Sequence, residues 1–417
     1  MPRNLTLICF LTASAVAQTW RVERAAANLE RPTGILLAPS GLVYFSEVPT
    51  PGVPGTMGGR NRIAALDPAT STITTVNMGE PEPLNLAMAP GGDLLWTCRS
   101  AGVILRRSGG TVAPLVRMLE SPTGITTLAD GTVVFTLVPT PGVPGTMGGR
   151  NSVASLAGMT TTTLNMGEPE PVDVAATPNG DLWWTCRTAG VILRRTAATG
   201  VVAPALRGLA RPTGIAADGR GHLYFTEVPT PGGPGSRGGQ HRVWKYAPAR
   251  RDLTLISMGE PEPTDITVSA DGTSVWWTCT SAGVILHATE TGPAPTVSTS
   301  AATPGATLRS LLHAPMAPGA MYLAASSTQL GGIALPGGRG IGLRMDSLFY
   351  GTFLDAGAPA AAGYVGLLDG NGMGTAHLVI PSDPMFVGSP ILTAFLTIDP
   401  VTFGVGHVSA TQRTMIQ

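Results

Sequence analysis

Carboxylates recur at a fixed place in the sequence, within a Glu-Pro-Glu-Pro segment that appears three times. Its glutamates are Glu80, Glu82, Glu168, Glu170, Glu260 and Glu262. Asp173 and Asp265 follow the second and third segments, and Asn85 takes the same place after the first. Each proline keeps the residue before it out of the helical region, so we expect these segments to be extended and stiff.

Two interpretations of these carboxylates stay open. Converging carboxylates repel one another unless they are solvated, protonated or bridged by a cation. Hard divalent cations such as Ca²⁺ or Mg²⁺ prefer oxygen ligands, and Glu170, Glu262 and Asp265 are the candidate metal ligands. The alternative is a solvated acidic rim whose prolines only shape the entry into the next strand.

His241 is the candidate general base, because histidine titrates near neutral pH. Glu227, at the end of a predicted strand in the same repeat, is the second candidate catalytic residue. Asn61 and Asn151 stand at the position of His241 in the other copies. A single histidine in a variable loop is more often a surface residue than a catalyst, so a surface position without a catalytic role stays open as the alternative.

Arginine ends two glycine-rich loops, at Arg60 and Arg150. The loops lack the Lys-Ser/Thr pair and the following helix of a phosphate-binding loop. We therefore interpret them as β-loops with glycines at special dihedral angles. Both arginines join the candidate ligand-binding rim, whose acidic members are Glu82, Glu170, Glu262, Asp173 and Asp265.

These residues belong to a long internal repeat. Pro-Thr-Gly-Ile begins at Pro32, Pro122 and Pro212, ninety residues apart each time. Each ~90-residue unit contains two strand-rich halves of 41 to 49 residues, the size of one four-stranded propeller blade. The chain is therefore predicted to be all-β, with residues 18–300 forming a six-bladed β-propeller.

The N-terminal segment is predicted to close the ring. Residues 20–32 align with 202–212, which read as the outer strand of the fourth blade and the start of the fifth. The N-terminal strand is therefore expected to complete the sixth blade, which would hide two exposed sheet edges.

Strand alternation predicts that two motifs share one face of the propeller. The connections between second and third strands are long, at 49–60, 139–150 and 229–240. Successive strands are antiparallel, so these loops and the Glu-Pro-Glu-Pro segments open on the same side. We call that side the elaborated face and expect any ligand to bind there.

Cysteines end the second strands of alternate blades, at Cys98, Cys186 and Cys279. Equivalent places in alternate blades are far apart, whereas a disulfide needs Cα atoms within about 7 Å. We expect three buried, unpaired thiols.

The repeat resembles a known family of propellers. The run Pro-Thr-Gly-Ile at 212–215, the run Gly-His-Leu-Tyr-Phe-Thr-Glu at 221–227, and the pairs Arg62-Ile63 and Asp67-Pro68 carry the resemblance. They are similar to the repeats of streptogramin lyases (virginiamycin B lyase-like), with kinship to NHL and SMP-30/gluconolactonase propellers. The resemblance implies a six-bladed fold over roughly residues 20–300 and a metal-assisted elimination or lactone hydrolysis. The paired histidines of that family are not recognisable in this sequence.

The two ends of the chain read differently from the repeats. Residues 1–17 have the basic start, apolar core and small-residue end of an export signal, so we expect a secreted, periplasmic or cell-surface protein. Residues 301–417 read as short strands between Gly/Pro turns, which indicates a small β-sandwich-like domain. The run 367–381 resembles a C-terminal module of exported planctomycete and myxobacterial proteins.

Bulk composition narrows the partners. Charged residues make up 12% of the chain and the formal net charge is zero, which disfavours a nucleic-acid partner. No later apolar run is long enough for a membrane span. We expect a binding or surface-interaction module for a small molecule, glycan or protein. The alternative is a metal-assisted lyase or lactone hydrolase.

Overall fold

A computed structural model describes residues 20–49, 60–139, 150–229, 241–292, 294–335, 339–354, 360–399 and 403–417. The chain divides into two compact units. The first comprises Arg21–Pro248 and Gly259–Glu290. The second comprises Ala249–Met258 and Thr291–Gln417, together with the residues up to Trp20.

The first unit is a six-bladed β-propeller, as the sequence predicts. Its first strand is β1 (Trp20–Ala26). Four complete antiparallel blades follow, each of four strands in chain order. They are β2 (Pro32–Leu37), β3 (Val43–Glu47), β4 (Arg62–Asp67) and β5 (Thr72–Met78); β6 (Pro83–Met88), β7 (Leu94–Cys98), β8 (Val103–Ser108) and β9 (Thr111–Val116); β10 (Pro122–Thr127), β11 (Val133–Leu137), β12 (Ser152–Ala157) and β13 (Thr160–Met166); and β14 (Pro171–Ala176), β15 (Leu182–Cys186), β16 (Val191–Arg195) and β17 (Val202–Arg207).

The fifth and sixth blades complete the ring. The fifth contributes β18 (Pro212–Ala217), β19 (Leu223–Glu227) and β20 (Arg242–Ala247) to this unit. The next strand, β21 (Asp252–Met258), is assigned to the second unit. The sixth contains β22 (Pro263–Val268), β23 (Ser274–Cys279) and β24 (Val284–Glu290), and β1 pairs with β24 as its fourth strand. This pairing places the N-terminal strand at the outer edge of the sixth blade.

In each blade a tight turn connects the first two strands. In the first blade Gly41 has φ +87°, a left-handed conformation that glycine adopts without strain. The second strands then carry the core, since Phe45, Phe135 and Phe225 are fully buried. Alternating burial along the strands packs each blade against the next.

Hydroxyl groups on the second strands tie neighbouring blades together near the axis. Each donates to a backbone carbonyl on the first strand of the next blade, at 2.6 or 2.7 Å. The pairs are Ser46 to Leu84, Thr97 to Thr123, Thr185 to Thr213, and Thr278 to Thr33. These bonds fix the height of each first strand along the axis, and with it the positions of its polar side chains.

The second unit is a further β domain. Its remaining elements are β25 (Thr296–Thr299), β26 (Thr307–His313), β27 (Met321–Ser327), β28 (Leu330–Leu335), β29 (Arg339–Leu343), α1 (Ser347–Leu354), β30 (Ala361–Ala362), β31 (Val365–Leu367), β32 (Met373–Val379), β33 (Pro390–Ile398), β34 (Val405–Val408) and β35 (Thr411–Met415).

These strands form two sheets and a hairpin. One sheet has the order β25-β26-β32-β30. In the other, β21, β35, β33, β27 and β31 are neighbours, with β34 beside β33. Leu308, Leu312, Tyr322 and Phe395 from both sheets share one buried cluster. The sandwich arrangement and the likeness of residues 367–381 to an exported module stay predictions. Across the described parts of the chain, no helix has both the length and the apolar character needed to cross a membrane.

Candidate functional site

A cavity of about 300 Å³ lies at the propeller axis, where the Glu-Pro-Glu-Pro segments enter the first strands. We call it the axial pocket. Its charged lining residues are Arg31, Glu82, Arg99, Glu170, Asp173, Arg187, Glu262 and Asp265. Val48 and Val138, which precede the long loops, also line it. The loops themselves, residues 50–59, 140–149 and 230–240, lie outside the described residues.

A second cavity, of about 930 Å³, is lined by the opposite ends of the same first strands and by the turns that follow them. Leu37, Thr127 and Ala217 are among its lining residues. None of the charged residues of the axial pocket lines it. Asn85, Asp173 and Asp265 therefore stand at the inner end of the axial pocket, between the two cavities.

Backbone geometry directs the second glutamate of each segment. Glu82, Glu170 and Glu262 have φ values of +51°, +59° and +50°. This left-handed conformation costs a non-glycine residue on the order of 1 kcal/mol or more. Each glutamate carbonyl accepts a hydrogen bond from the residue after the second-strand cysteine, at 3.1 to 3.3 Å. The turn is thus fixed, and three glutamates reach the pocket from alternate blades.

The three glutamates have different partners. Glu170 forms an ion pair with Arg187 and accepts a hydrogen bond from Thr188. Burial raises the pKa of Glu170, but the hydrogen bonds from Arg187 and Thr188 outweigh it, so the pKa lies below its usual value. Burial raises the pKa of Glu82 above its usual value, against a smaller lowering effect of Arg99.

The third copy replaces the arginine with a threonine. Thr280, at the position of Arg99 and Arg187, donates to the Pro32 carbonyl at 2.6 Å and bonds to the Thr264 hydroxyl. The pocket therefore has threefold backbone symmetry without threefold chemistry. The sequence analysis did not single out Arg99 and Arg187; their signal is their place directly after the aligned cysteines.

The inner end of the pocket is a ring of three polar side chains from alternate blades. Asn85 Nδ2 donates to Asp173 Oδ1 at 2.6 Å. Asp173 Oδ2 accepts from the Ile215 amide at 2.8 Å, and Asp265 Oδ2 accepts from the Ile35 amide at 2.8 Å. Each aspartate thus bonds to the first strand of the following blade.

The two aspartates share an environment that disfavours charge. They are 4% and 5% exposed, and they occupy the same position on the first strands of alternate blades. Burial raises the pKa of Asp173, and the charge of Asp265 raises it further. The pKa of Asp265 is raised as well, chiefly by burial. A pair of this kind ionises first at one carboxyl and holds its second proton more strongly.

Glycine makes room for this ring. A Cβ atom on Gly124 would lie 2.5 Å from Asp173 Cα, and one on Gly214 would lie 2.6 Å from Asp265 Cα. Real Cβ atoms do not approach backbone that closely. The third residue of each first strand therefore alternates between glycine and a polar side chain around the axis.

In two of the Glu-Pro-Glu-Pro segments the first glutamate lies next to a second-strand cysteine. Cys98 Sγ lies 3.9 Å from Glu80 Oε2, and Cys186 Sγ lies 3.5 Å from Glu168 Oε2. Burial, reinforced by these charges, raises the pKa of both thiols. Cys98, Cys186 and Cys279 are free and buried, as predicted.

His241 is a buried brace. It is 1% exposed, and its Nδ1 lies 2.8 Å from both the Glu260 carbonyl oxygen and the Glu262 amide nitrogen. Asn61 does the same in the first copy, since its Nδ2 donates to the Glu80 carbonyl at 3.2 Å. Of the described residues that line the axial pocket, none is a histidine. The catalytic role of His241 stays a prediction without support from this placement.

Glu227 holds its blade together and does not line the axial pocket. It is 1% exposed and accepts from the Ala210 amide at 2.6 Å, from Trp244 Nε1 at 2.7 Å and from Arg242 Nη1 at 3.1 Å. Glu47 makes the matching bonds to the Glu30 amide and to Arg62. These contacts explain the glutamate as a structural anchor.

The other predicted site residues form two groups, those that line the axial pocket and those that do not. Glu82, Glu170, Glu262, Asp173 and Asp265 are brought together in the axial pocket. Arg60 and Arg150 are not among its lining residues. Each is largely exposed and forms an ion pair, with Glu30 at 3.2 Å and Glu120 at 2.8 Å respectively.

Two of the three predicted metal ligands have other partners. Glu170 is paired with Arg187, and Asp265 accepts from the Ile35 and Ile266 amides. Among the described residues, no group of three or more His, Cys, Asp and Glu side chains is arranged to hold a metal ion. A bound divalent cation therefore stays a prediction.

Comparison with known proteins finds solved structures with a similar fold at low sequence identity. The sequence matches no protein-family model and none of the curated proteins compared with it. A gluconolactonase from Xanthomonas campestris is 15% identical, with a TM-score of 0.51 over 67% of this chain and 93% of that chain. The calcium-binding protein regucalcin from Agrobacterium tumefaciens is 13% identical, with a TM-score of 0.51 over 66% and 95%.

A catalytically inactive virginiamycin B lyase from Staphylococcus aureus, solved with quinupristin, is 17% identical, with a TM-score of 0.46 over 65% of this chain and 99% of that chain. At such low identities the likeness is one of fold. The likeness to the gluconolactonase and to regucalcin, with TM-scores of 0.51, supports the propeller architecture, and the activity has to be argued from this chain's own residues.

Proposed function

We propose that this protein is an exported binding module that takes a small polar ligand into the axial pocket. The observation that carries the proposal is the lining of that pocket: carboxylates, guanidinium groups and threonine hydroxyls converge on a cavity of about 300 Å³. Such alternating donors and acceptors suit a ligand with several hydroxyl, amide or amine groups.

Binding is favoured over catalysis by the state of the candidate catalytic groups. His241 and Glu227 are engaged in structural contacts, and the pocket aspartates already accept backbone hydrogen bonds. The alternative, a metal-assisted lyase or lactone hydrolase, needs an available base or metal at the pocket. An assay of lactone hydrolysis with and without Ca²⁺ tests it, and turnover that depends on Glu170 would favour it.

The binding proposal is tested by filling the pocket. Val172 lines the pocket on β14, and Val172→Trp should occupy the space that a ligand needs. The matched control is Val201→Trp, since Val201 is 60% exposed outside the pocket. Glucose, glucosamine and gluconate are the first probes, with binding measured by calorimetry and by thermal unfolding.

A probe that binds the native state should raise its stability by about 2.7 kcal/mol at a hundredfold excess over Kd. We expect that increase in the unmodified protein and in Val201→Trp, and its loss in Val172→Trp. Equal binding by Val172→Trp, or no binding by any probe, would contradict the proposal.

Export is the second part of the proposal. Residues 1–17 have the sequence pattern of an export signal, and they lie outside the described residues. Cleavage is expected near Ala17–Gln18. The mature protein is expected to be secreted, periplasmic or at the cell surface. Mass spectrometry of protein recovered from the periplasm or medium should give an N-terminus near Gln18; an intact Met1 would contradict it.

A further inference from the structure

Asp173 and Asp265 belong to one ring of side chains at the axis, in which Asn85 already contacts Asp173 at 2.6 Å. Two ionised carboxylates contain only acceptors, so a matching contact between Asp173 and Asp265 requires a proton. Both side chains are at least nineteen-twentieths buried, which disfavours two negative charges at this place. One proton placed between them turns a repulsive contact into a hydrogen bond.

The remaining partners of the pair are neutral donors. Asp173 accepts from Asn85 Nδ2 and from the Val174 and Ile215 amides, at 2.6 to 2.8 Å. Asp265 accepts from the Ile35 and Ile266 amides at 2.8 Å. Among the described residues, no arginine, lysine or histidine forms a hydrogen bond or ion pair with either carboxyl group. These donors can support one negative charge, but they leave the second without a counter-charge.

All six first strands surround the axis at the level of the pair, and among the described residues none of these strands adds a further titratable side chain there. The third residue of each strand is Gly34, Asn85, Gly124, Asp173, Gly214 or Asp265. The charged side chains of the pocket mouth, including Glu82, Glu170, Glu262, Arg99 and Arg187, belong to the entry segments and to the ends of the second strands. Proton binding at the inner end is therefore a property of the two aspartates.

We propose that Asp173 and Asp265 hold one proton between them and that this proton links the fourth and sixth blades across the propeller axis. Asp173 also joins the fourth blade to the fifth through the Ile215 amide. Asp265 joins the sixth blade to the first through the Ile35 amide, across the seam that closes the ring. Loss of the proton leaves two negative charges close together on the residues that make these two bonds.

The lock has a defined direction with pH. The pair binds a proton in the folded protein at pH values where separate aspartates in the unfolded chain have lost theirs. Its stabilisation is therefore complete below about pH 4, the unfolded pKa of aspartate, and is lost as pH rises through the raised pKa of the pair. In that window one proton separates the folded and unfolded states.

Asn85 provides a natural control. It occupies the same position in the ring with an amide, so the ring accommodates a neutral side chain there. Asp265→Asn should therefore remove the shared proton while keeping the shape of the side chain. It also replaces the acceptor of the Ile35 amide, so its absolute stability is not the readout; the slope with pH is.

The experiment measures Tm from pH 4 to pH 9 for the full exported chain. In the unmodified protein Tm should fall by about 2–4 °C per pH unit through the window. Asp265→Asn and Asp173→Asn should each abolish this component. Asn85→Asp, which adds a third carboxylate, should make it steeper. Asp130→Asn, at an exposed turn, is the control and should leave the slope unchanged.

Infrared spectroscopy gives a second readout that a merely structural role would not move. The unmodified protein at pH 6 should show the carbonyl band of a buried protonated carboxylic acid, and Asp265→Asn should lack it. If the Asp265→Asn slope equals that of the unmodified protein, or if the band persists in the variant, the shared proton is refuted. The outcome does not depend on whether the pocket binds a ligand.

Discussion

Odd- and even-numbered blades use the same backbone for different purposes. At the third residue of the first strand, the odd blades have Gly34, Gly124 and Gly214. The even blades have Asn85, Asp173 and Asp265. Glycine in one blade leaves the space that a side chain from its neighbour fills. A sixfold ring of backbone thereby presents a threefold ring of polar groups, which is as many as the axis has room for.

The ends of the second strands show the same division. The odd blades place buried glutamates there, Glu47 and Glu227, that anchor their own loops, with Leu137 as the exception. The even blades place buried cysteines there and present an arginine or threonine to the pocket from the next residue. The odd blades therefore stabilise the frame, and the even blades supply the axial chemistry.

The largest expected effect concerns the anchor of the fifth blade. Glu227→Leu removes the carboxylate from Arg242, which is 6% exposed, and should destabilise the protein by about 3–5 kcal/mol. The third blade has neither residue of this ion pair, since Leu137 pairs with Ser152 at the equivalent positions. Glu227→Leu with Arg242→Ser should recover part of the loss in urea unfolding. A double variant no more stable than the single one would break the comparison.

A smaller effect is expected from filling the space at an odd blade. A Cβ atom on Gly214 meets Asp265 Cα at 2.6 Å and its Oδ1 at 2.9 Å, and neither can move without opening the seam. Gly214→Ala should cost about 1–3 kcal/mol. The control is Gly91→Ala, since a Cβ atom there meets nothing within 4 Å. Equal unfolding free energies for the two variants would show that the alternation of glycine is not steric.

The smallest effects distinguish two even blades and differ in sign at pH 7. Glu170→Gln removes the carboxylate from an ion pair in which the pKa of Glu170 is lowered. It should cost up to about 1 kcal/mol, because the Arg187 side chain of the pair is 34% exposed. Glu82 has a raised pKa because burial disfavours its charge, so Glu82→Gln should be neutral or slightly stabilising.

The pH dependence sharpens this contrast. The contribution of Glu170 is present above its unfolded pKa of about 4.3 and is lost as the pH falls. The penalty from Glu82 appears as the pH rises through its raised pKa. Thermal unfolding of both variants at pH 4 and pH 7 measures the two signs, and a shared sign would show that Arg99 and Arg187 act alike.

The repeat made the architecture predictable. Ninety-residue spacing, two strand-rich halves and an N-terminal segment that aligns with an outer strand predict six blades and their closure. The helix α1 in the second unit is not predicted, because eight residues are too few to show a clear helical period.

The site was predictable in part. Threefold recurrence identifies Glu82, Glu170 and Glu262 as residues of one face. It does not reveal which carboxylate has an arginine, because Arg187 follows the cysteine at the end of a second strand and the sequence alone does not place that strand end beside Glu170. His241 attracts attention as a possible base, but Asn61 and Asn151 at the same position point to a hydrogen-bonding brace. That signal lies in the comparison of copies and not in the residue type.

The closing seam also determines when the propeller can close during synthesis. Thr278 and Thr280 bond to carbonyls of Thr33 and Pro32, over 245 and 248 residues of chain. At synthesis rates of about 5–20 residues per second, β1 waits roughly 10–50 s for its partner β24 to exist. Contacts this distant also slow folding, because the chain entropy must be lost before the contact forms. Within the propeller, the first strand to be made is thus the last to be paired, and until then its edge is open to other chains.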